Sequence, residues 1–596
     1  MGSASATVVT MFGVGLGIDY SLFIMTRYQQ ERAADSIAEV ERILDRVLRT
    51  SSRTVTFSAI TVFLSLLGCF VFHQFFLVSM CKAVMIVSVC TCISANTILL
   101  ALLATLDTKI FACPVPAITP IISRILSKWT TRLPPSESNL NLQMKAQSSS
   151  LDDTGDMSQK QTAVPTTHIS EDDTKGMWYD IGKVVTRNAW PSFLLSSGFL
   201  LALCVICLMR MKFGSIGPED LPSTLQGRRV YDVLKSDFSE YGRSRLYVFL
   251  KTVEGEVSSP EFLNALLNFT ANIKNINGVN HVRSPLNPGN YGFTPSQFIN
   301  LYTNITYDAS FEKKKSDLVY PLGLTNFNNA VLVHISLGSY EFSASAKSSL
   351  RQVKELLRES FKGSEGESLL LSSGVTGVPA AVVDLYNDLD NTLPTWIAVM
   401  IITIFLLLLI MTGSLTIPLK ACVFGVLGLG ANLGLLTLIF AKDGPYEEIG
   451  ANGYFDGPNI IFVCALTFSL SVDYEIFLIS QIQEIYYELG DTREAICRAL
   501  QRSGRLITAA AFMLALVTGA FLVSELIFIK YIGLGVAMAV LLDATIVRSV
   551  LVPATLSIMN DWCWYCPEPI KRVVDFLGLQ EAKRNVHIET DGKTHL

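Results

Sequence analysis

"GLGIDYSLFIMTRYQQER" (residues 15–32) and "SLSVDYEIFLISQIQEI" (469–485) are two copies of one pattern. In each, Asp-Tyr interrupts an apolar run: Asp19 and Tyr20 in the first copy, Asp473 and Tyr474 in the second. The echo continues beyond them. "RVLRTSSRTVTFSAITVFLSLLG" (46–68) follows the order of "RALQRSGRLITAAAFMLALVTG" (498–519), with Arg53 opposite Arg505. Each copy reads as a helix, a basic amphipathic loop and two further helices. Internal repeats of this kind mark transporter folds, whose functional site lies where the repeats meet.

The composition places the pattern in a membrane. Half of the residues are hydrophobic, mean hydropathy is +0.40 and 17% are charged, against about a quarter in soluble chains. Apolar stretches near the roughly 20 residues that span a bilayer recur at about 5–27, 54–72, 80–106, 190–209, 394–413, 416–441, 458–480, 506–525 and 530–553. The expected fold class is therefore a polytopic α-helical membrane protein with nine transmembrane helices. The net charge of −5 averages over loops and excludes little. Its distribution is more useful. Arg27, Arg32, Arg42, Arg46, Arg49 and Arg53 follow the first helix, and Arg493, Arg498, Arg502 and Arg505 follow the seventh. The positive-inside rule makes both loops cytoplasmic, which places 210–393 and the N-terminus outside. Arg210 and Lys212 run against that assignment. Met1–Thr7 carries no Lys or Arg, so no cleavable signal peptide is expected there.

The domains follow from this threading. Three helices of the first repeat occupy 1–110, a cytoplasmic linker 111–188, one helix 189–210, an outside domain 211–393, five helices of the second repeat 394–555 and a cytoplasmic tail 556–596. Residues 131–176 are rich in Ser, Thr, Asp, Gln and Pro, too polar to offset the entropy of ordering. The outside segment reads as an α+β domain. It has strands at 245–252, 329–337 and 368–374 and helices at 259–276, 343–361 and 378–392, and fits a split ferredoxin-like arrangement. Two sequons begin at Asn268 and Asn304 in this domain and are compatible with glycosylation. None of the twelve cysteines lies between Cys207 and Cys422, so no disulfide staples the domain. "CWYC" (563–566) lacks the second ligand pair that a zinc site needs and reads as plain juxtamembrane sequence, ahead of reversible acylation and of redox activity.

An aspartate at mid-helix costs about 2.5–3.5 kcal/mol on insertion scales. Two at equivalent places in two repeats call for a reason. Desolvation and a like-charged neighbour are what allow a carboxyl to bind and release a proton near neutral pH. Asp19 and Asp473 are accordingly the expected proton carriers. Neighbours along one helix point about 100° apart, so each Tyr is expected to serve the Asp of the other copy. The competing expectation is a structural role, holding helices together by hydrogen bonds. Asp543 and Arg548, five residues apart, read either as a structural ion pair near a helix end or as part of proton transfer. Glu475 either extends the relay or reaches toward the cytoplasm. Gly13, Gly15 and Gly17 do not match a phosphate loop and are expected to allow close helix packing.

Together with "RLITAAAFMLALVTGAFLVSELIFIKYIGLGVAMAVLLDATIVRSVLVPA" (505–554), the two Asp-Tyr segments resemble the MmpL-type branch of the resistance–nodulation–division (RND) superfamily. The resemblance spans most of the chain apart from 131–176. It implies twelve helices in two repeats, with a porter domain outside the membrane after the first helix of each. It further implies movement of lipids or other hydrophobic compounds at the expense of the proton gradient, with no cofactor and no catalysis. The family's relay maps onto Asp19, Tyr20, Asp473 and Tyr474. Against that plan the chain starts at the fourth helix, so it is expected to be N-terminally truncated. "ILLALLATL" (98–106) also lacks the proline of "VLVPA" in the second copy.

The leading expectation is thus a proton-driven transporter in a plasma membrane or endomembrane, with the porter domain on the non-cytoplasmic side. Its partners would be membrane lipids, a lipid or hydrophobic small molecule, and a second copy or partner subunit, not nucleic acid. A Patched-like lipid or sterol sensing receptor, or an incomplete chain that needs a partner, is the alternative. Intramembrane aspartyl proteolysis is disfavoured, because it calls for neither a repeat nor a porter domain.

Overall fold

The computed structural model describes residues 3–35, 39–107, 174, 176–214, 217, 221–237, 244–252, 257, 259–287, 330–338, 344–361, 369–440, 453–568 and 572. Nine helices among them are long and apolar enough to cross a bilayer. In chain order the helices are α1 (Ala6–Ala33), α2 (Val40–Val71), α3 (Phe75–Leu106), α4 (Met177–Arg187), α5 (Ala189–Arg210), α6 (Gln226–Ser236), α7 (Pro260–Lys274), α8 (Ala344–Ser360), α9 (Val378–Thr412), α10 (Thr416–Phe440), α11 (Gly457–Leu489), α12 (Thr492–Val523) and α13 (Ile527–Trp564). All but α4, α6, α7 and α8 are of spanning length. The strands are β1 (Phe213–Gly214), β2 (Arg245–Thr252), β3 (Val279–Arg283), β4 (Ala330–Leu337), β5 (Leu370–Thr376) and β6 (Phe455–Asp456).

The two repeats interlock. α1 packs on α3 and on α12, while α11 packs on α12 and on α2, so the first helix of each repeat leans on the second helix of the other. α11 is the axis of the bundle. Its most apolar window is 89% buried, against 22% for α5 and for α9. A helix buried all round needs neighbours that approach closely, and small residues let them. A Cβ on Gly15 of α1 would lie 2.7 Å from Leu514 of α12, whereas Gly13 and Gly17 leave ordinary contact distances. A Cβ on Gly434 of α10 would run into the Leu203 carbonyl oxygen of α5, and one on Gly430 would come within 2.7 Å of Cys204 Sγ. These two glycines, one turn apart, explain why α5 and α10 lie against each other along their length.

Strand order in the α+β domain is β3-β4-β2-β5, all antiparallel. Among the described residues the chain order is βαββαβ, with the first and third strands central. Alternate residues of the central strands (Leu246, Val248 and Leu250; Val331, Val333 and Ile335) bury against Phe262, Leu266 and Phe269 of α7 and Leu350 and Val353 of α8, as period-two alternation requires. α7 starts where Ser259 Oγ accepts a hydrogen bond from the Phe262 N–H, 3.4 Å, with Pro260 in the first turn. β5 passes into α9 at Gly377, whose φ of 120° no other residue adopts readily and whose missing Cβ would strike the Arg245 carbonyl. β1 and β6 form a short parallel pair, and Tyr386 Oη donates to the Gly214 carbonyl, 2.6 Å. The start of α11 is thereby tied to the base of this domain.

Several expectations change. The helix read at 378–392 and the span at 394–413 form one 35-residue helix, α9, that runs through Pro394. Residues 177–187, inside the interval read as linker, form α4, which lies on α12 with Tyr179 Oη donating to Glu494 Oε2, 3.2 Å. β3 and α6 add to the elements read in the outside segment. Asn268 is exposed on α7. Asn304, and the linker from 108 to 173, lie outside the described residues.

Two outcomes follow from this packing. Gly434→Val should lower the melting temperature of the detergent-purified protein markedly, at a cost of about 1–3 kcal/mol or more for overpacking. Gly198→Ala, which meets nothing within 4 Å, should leave it unchanged. A matching drop in both variants would show that close α5–α10 approach is not what Gly434 provides. In the α+β domain, burial and then Arg245 and Arg283 hold the His334 imidazole below its ordinary range, opposite the Tyr247 ring at 5.0 Å. The unfolded chain takes up that proton near pH 6.5, before the folded one does, so stability present above this pH is lost as pH falls. Hydrogen exchange of the β4 amides, corrected for intrinsic rates, should speed up between about pH 7 and pH 5, and His334→Phe should flatten that slope.

Candidate functional site

The paired carboxylates meet at the centre of the bundle. Asp19 (α1) and Asp473 (α11) are 6% and 8% exposed, and Tyr20 and Tyr474 are each 1% exposed. Aromatic contacts bring α1 and α11 together. Phe23 of α1 packs on Tyr474 (6.0 Å between ring centroids) and on Phe477 (4.8 Å) of α11, and Phe12 meets Phe462 edge-on at 6.4 Å. The Tyr474 hydroxyl faces the Asp19 carboxyl across the repeats. The reverse pair is arranged differently. Asp473 faces Ser58 and Thr61 of α2, and the Tyr20 hydroxyl is directed at Ser58 and at Ser88 of α3.

Asp19 Oδ1, both Asp473 oxygens and both tyrosine hydroxyls are buried without forming a hydrogen bond. Buried polar groups are usually satisfied. This cluster holds its hydrogen-bonding capacity in reserve, so a proton can be gained or lost there without dismantling a network.

Among the described residues, Arg548 is the cation that serves the cluster. Arg548 of α13 is 3% exposed and acts electrostatically on Asp19, Asp473 and Asp543. Its guanidinium carbon lies 4.3 Å from the Tyr474 ring centroid, a cation–π contact. Its Nη2 is bonded to Asp543, while Nε and Nη1 make no hydrogen bond. The five-residue spacing of Asp543 and Arg548 is explained by local winding. Residues Asp543–Leu551 form a π-helix, in which i and i+5 share a face as they do not in an α-helix. Ser471 Oγ donates to the other Asp543 oxygen, 2.7 Å. The pair lies in the middle of α13, not near its end as the sequence was read.

Glu475 neither joins Asp473 nor reaches free toward the helix end. It forms a buried ion pair with Lys420 of α10, 2.6 Å, both side chains under 10% exposed. Sequence reading passed over Lys420, although a lone lysine within the apolar run 416–441 was the available signal. Cys563 is a free thiol. Cys563 is fully buried, and its carbonyl accepts from Ser414 Oγ (2.6 Å) and Thr416 Oγ1 (2.7 Å). "CWYC" is therefore part of the packed α9–α10 corner.

Removing one member of a buried ion pair leaves an uncompensated charge, at a cost of about 3–5 kcal/mol, whereas replacing both by apolar residues is often neutral. Lys420→Met and Glu475→Leu should each destabilise the protein strongly, and the double variant should recover most of the loss. Additive losses in a thermal-melt double-mutant cycle would rule out a direct energetic pair.

The chain can now be set beside known proteins. Residues 1–132 and 234–577 match the model of the MMPL family. The trehalose monomycolate exporter MmpL3 of Mycolicibacterium smegmatis is 29% identical over 582 residues, 97% of this chain and 50% of that protein. MmpL3 of Mycobacterium tuberculosis is 28% identical over 98% of this chain and 55% of its own length. The chain thus spans about half the length of these relatives. The cryo-EM structure of the hedgehog release protein Disp from the water bear Hypsibius dujardini shares the fold. Its TM-score is 0.55 at 10% identity, over 94% of this chain and 64% of that one. With nine apolar helices of spanning length and a family match over most of its length, the chain is a multi-pass integral membrane protein and belongs to the MMPL family.

Proposed function

We propose that this chain takes part in proton-driven movement of lipids or other hydrophobic molecules, with Asp19, Tyr20, Asp473 and Tyr474 as the proton relay. The observation that carries the reading is the meeting of Asp19 and Asp473 at the repeat interface, buried, with unused hydrogen-bonding capacity and one shared cation, Arg548. Protonating either carboxyl changes the charge around Arg548. The cation then has reason to shift its balance between Asp543 and the Asp19–Tyr474 side.

Because α1 leans on α12 and α11 on α2, a change in the fit of α1 against α11 is passed to both repeats. One elementary charge crossing a potential of 100 mV is worth about 2.3 kcal/mol. That is enough to shift a two-state balance by about fifty-fold. The names of the MmpL3 relatives, exporters of trehalose monomycolate, support a lipid as the class of cargo.

In this reading the α+β domain is a ferredoxin-like porter domain on the non-cytoplasmic side, supported by its βαββαβ order and central first and third strands. The basic loop after α1 and the tail after α13 would be cytoplasmic. The working assembly would include a second copy or a partner subunit.

The test is lipid movement in proteoliposomes carrying a fluorescent lipid analogue, with and without a proton gradient. Asp19→Asn and Asp473→Asn should each abolish the gradient-dependent part, and Tyr474→Phe should reduce it by about tenfold or more, the scale of a lost proton-handling group. Full gradient-dependent movement in Asp473→Asn would sink the relay and favour a sensing role.

A further inference from the structure

A cavity of about 20 Å³ lies between α10, α11 and α13, against Asp543. Three helical stripes converge on it: Gly428 and Asn432 of α10, Thr467 and Ser471 of α11, Ala539 and Asp543 of α13, each pair one turn apart. A Cβ on Gly428 would meet nothing within 4 Å, so glycine keeps this wall open. A water molecule needs roughly 10–15 Å³ on this measure and two to four polar partners.

The polar groups around the cavity have a shared character. Asn432 is 1% exposed. Its Nδ2 donates to the Gly535 carbonyl, 3.1 Å, and its Oδ1 is buried with no partner. Ser471 Oγ spends its proton on Asp543 Oδ1, 2.7 Å, and Thr467 Oγ1 spends its own on the Val463 carbonyl, 2.8 Å. Each hydroxyl then offers only lone pairs. Three acceptors face a space of one water, which suits a species rich in donors.

The cavity also has a direction. α11 begins at β6, which pairs with β1 at the base of the α+β domain. Thr467, four residues before Ser471, is therefore about 6 Å nearer that end at 1.5 Å per residue. Asp543 is faced by Arg548 from its own helix and by Glu475 from α11, with Lys420 of α10 holding Glu475.

We propose that this cavity holds the water that delivers protons to Asp543, from the side of the α+β domain and through Ser471. The inference rests on the proton-coupled reading above and adds the inlet to it. An excess proton on the cavity water passes to Ser471 Oγ while the existing Ser471 proton passes to Asp543 Oδ1. The water is left neutral, the serine hydroxyl is restored and the Asp543 carboxylate becomes a carboxylic acid. No other bond changes. Arg548 then loses the ionic half of its contact with Asp543, and its place on the Tyr474 ring offers Asp19 and Asp473 as the remaining anions. Asn432 and Thr467 act as positioning residues for the water.

The full chain in proteoliposomes with an internal pH dye tests the inlet. An imposed proton gradient and a fluorescent lipid analogue are supplied, and proton uptake is followed. Gly428→Val fills the cavity, and Thr467→Val removes an acceptor at constant shape and guards against a folding defect in the first variant. Both should slow uptake by about tenfold or more, and Asp473→Asn should abolish it. A high-resolution structure should show water density within hydrogen-bonding distance of Asn432 Oδ1 and Ser471 Oγ.

Wild-type uptake in both folded valine variants, with Asp473→Asn inactive, would overturn the inlet and leave the relay standing. Wild-type uptake in Asp473→Asn would overturn the relay, and the inlet with it. Uptake that follows sodium at fixed pH would assign the acceptors to a metal cation and overturn the inlet.

Discussion

A charge in the middle of a bilayer cannot be hydrated, and the centre of this bundle is organised around that constraint. α11 is the most buried of the spanning helices, yet it carries Asp473 and Glu475 within three residues. Each is handled differently. Glu475 is neutralised at once by Lys420 at 2.6 Å. Asp473 shares the cation Arg548 with Asp19 and faces the Ser58 and Thr61 hydroxyls, with no ion-pair partner in contact among the described residues. The first arrangement suits a fixed charge and the second a changeable one, because only the first has a counter-ion in direct contact that holds the carboxyl ionised. Asp543 is a third case, paired with Arg548 yet joined to the cavity through Ser471 Oγ.

The packing serves this centre. Lipid tails are as apolar as leucine, so helices in a bilayer gain little by hiding hydrophobic surface from one another. Association rests on fit, and fit on small residues: Gly15 against α12, Gly430 and Gly434 against α5, Gly535 against Val463 of α11. Where close approach is withheld, as at Gly428, the space remains as a cavity lined by polar atoms. Glycine thus has two opposite uses along α10. At 434 it removes a gap, and at 428 it keeps one.

Much of this was legible in the sequence, for identifiable reasons. The spans were legible because hydropathy over some 20 residues has few competing explanations, and the Asp-Tyr pairs because a repeated carboxylate in an apolar run is costly. The partners of those residues were not legible, because a sequence does not say which helices touch. Nothing in it distinguishes Tyr474, beside Asp19, from Tyr20, beside Ser58 and Ser88. α4 was absorbed into the linker because eleven amphipathic residues beside a polar tract carry a weak signal until α12 is there to receive them. β3 is five residues long, has His281 and Arg283 exposed, and pairs on one side only. Lys420 escaped notice because one lysine hardly lowers the hydropathy of a 25-residue helix, although it decides what Glu475 does.

The departure from symmetry is the most informative feature of the bundle. The repeats match in helix order and in their reciprocal contacts, yet the second copy carries Asp543 and Arg548 where the first has Thr91 and Asn96. Both copies adopt π winding in this region, at Ala95–Leu99 and at Asp543–Leu551, so the backbone was prepared in each and the charges were placed in one. In the first copy Thr91 Oγ1 donates to the Val87 carbonyl and Asn96 Nδ2 to the Cys92 carbonyl, local bonds that bind nothing across the bundle. In the relay proposed above, identical access from both sides would let protons pass without doing work. Charge in one copy only breaks the equivalence of the two halves, which the proposed directional cycle would require.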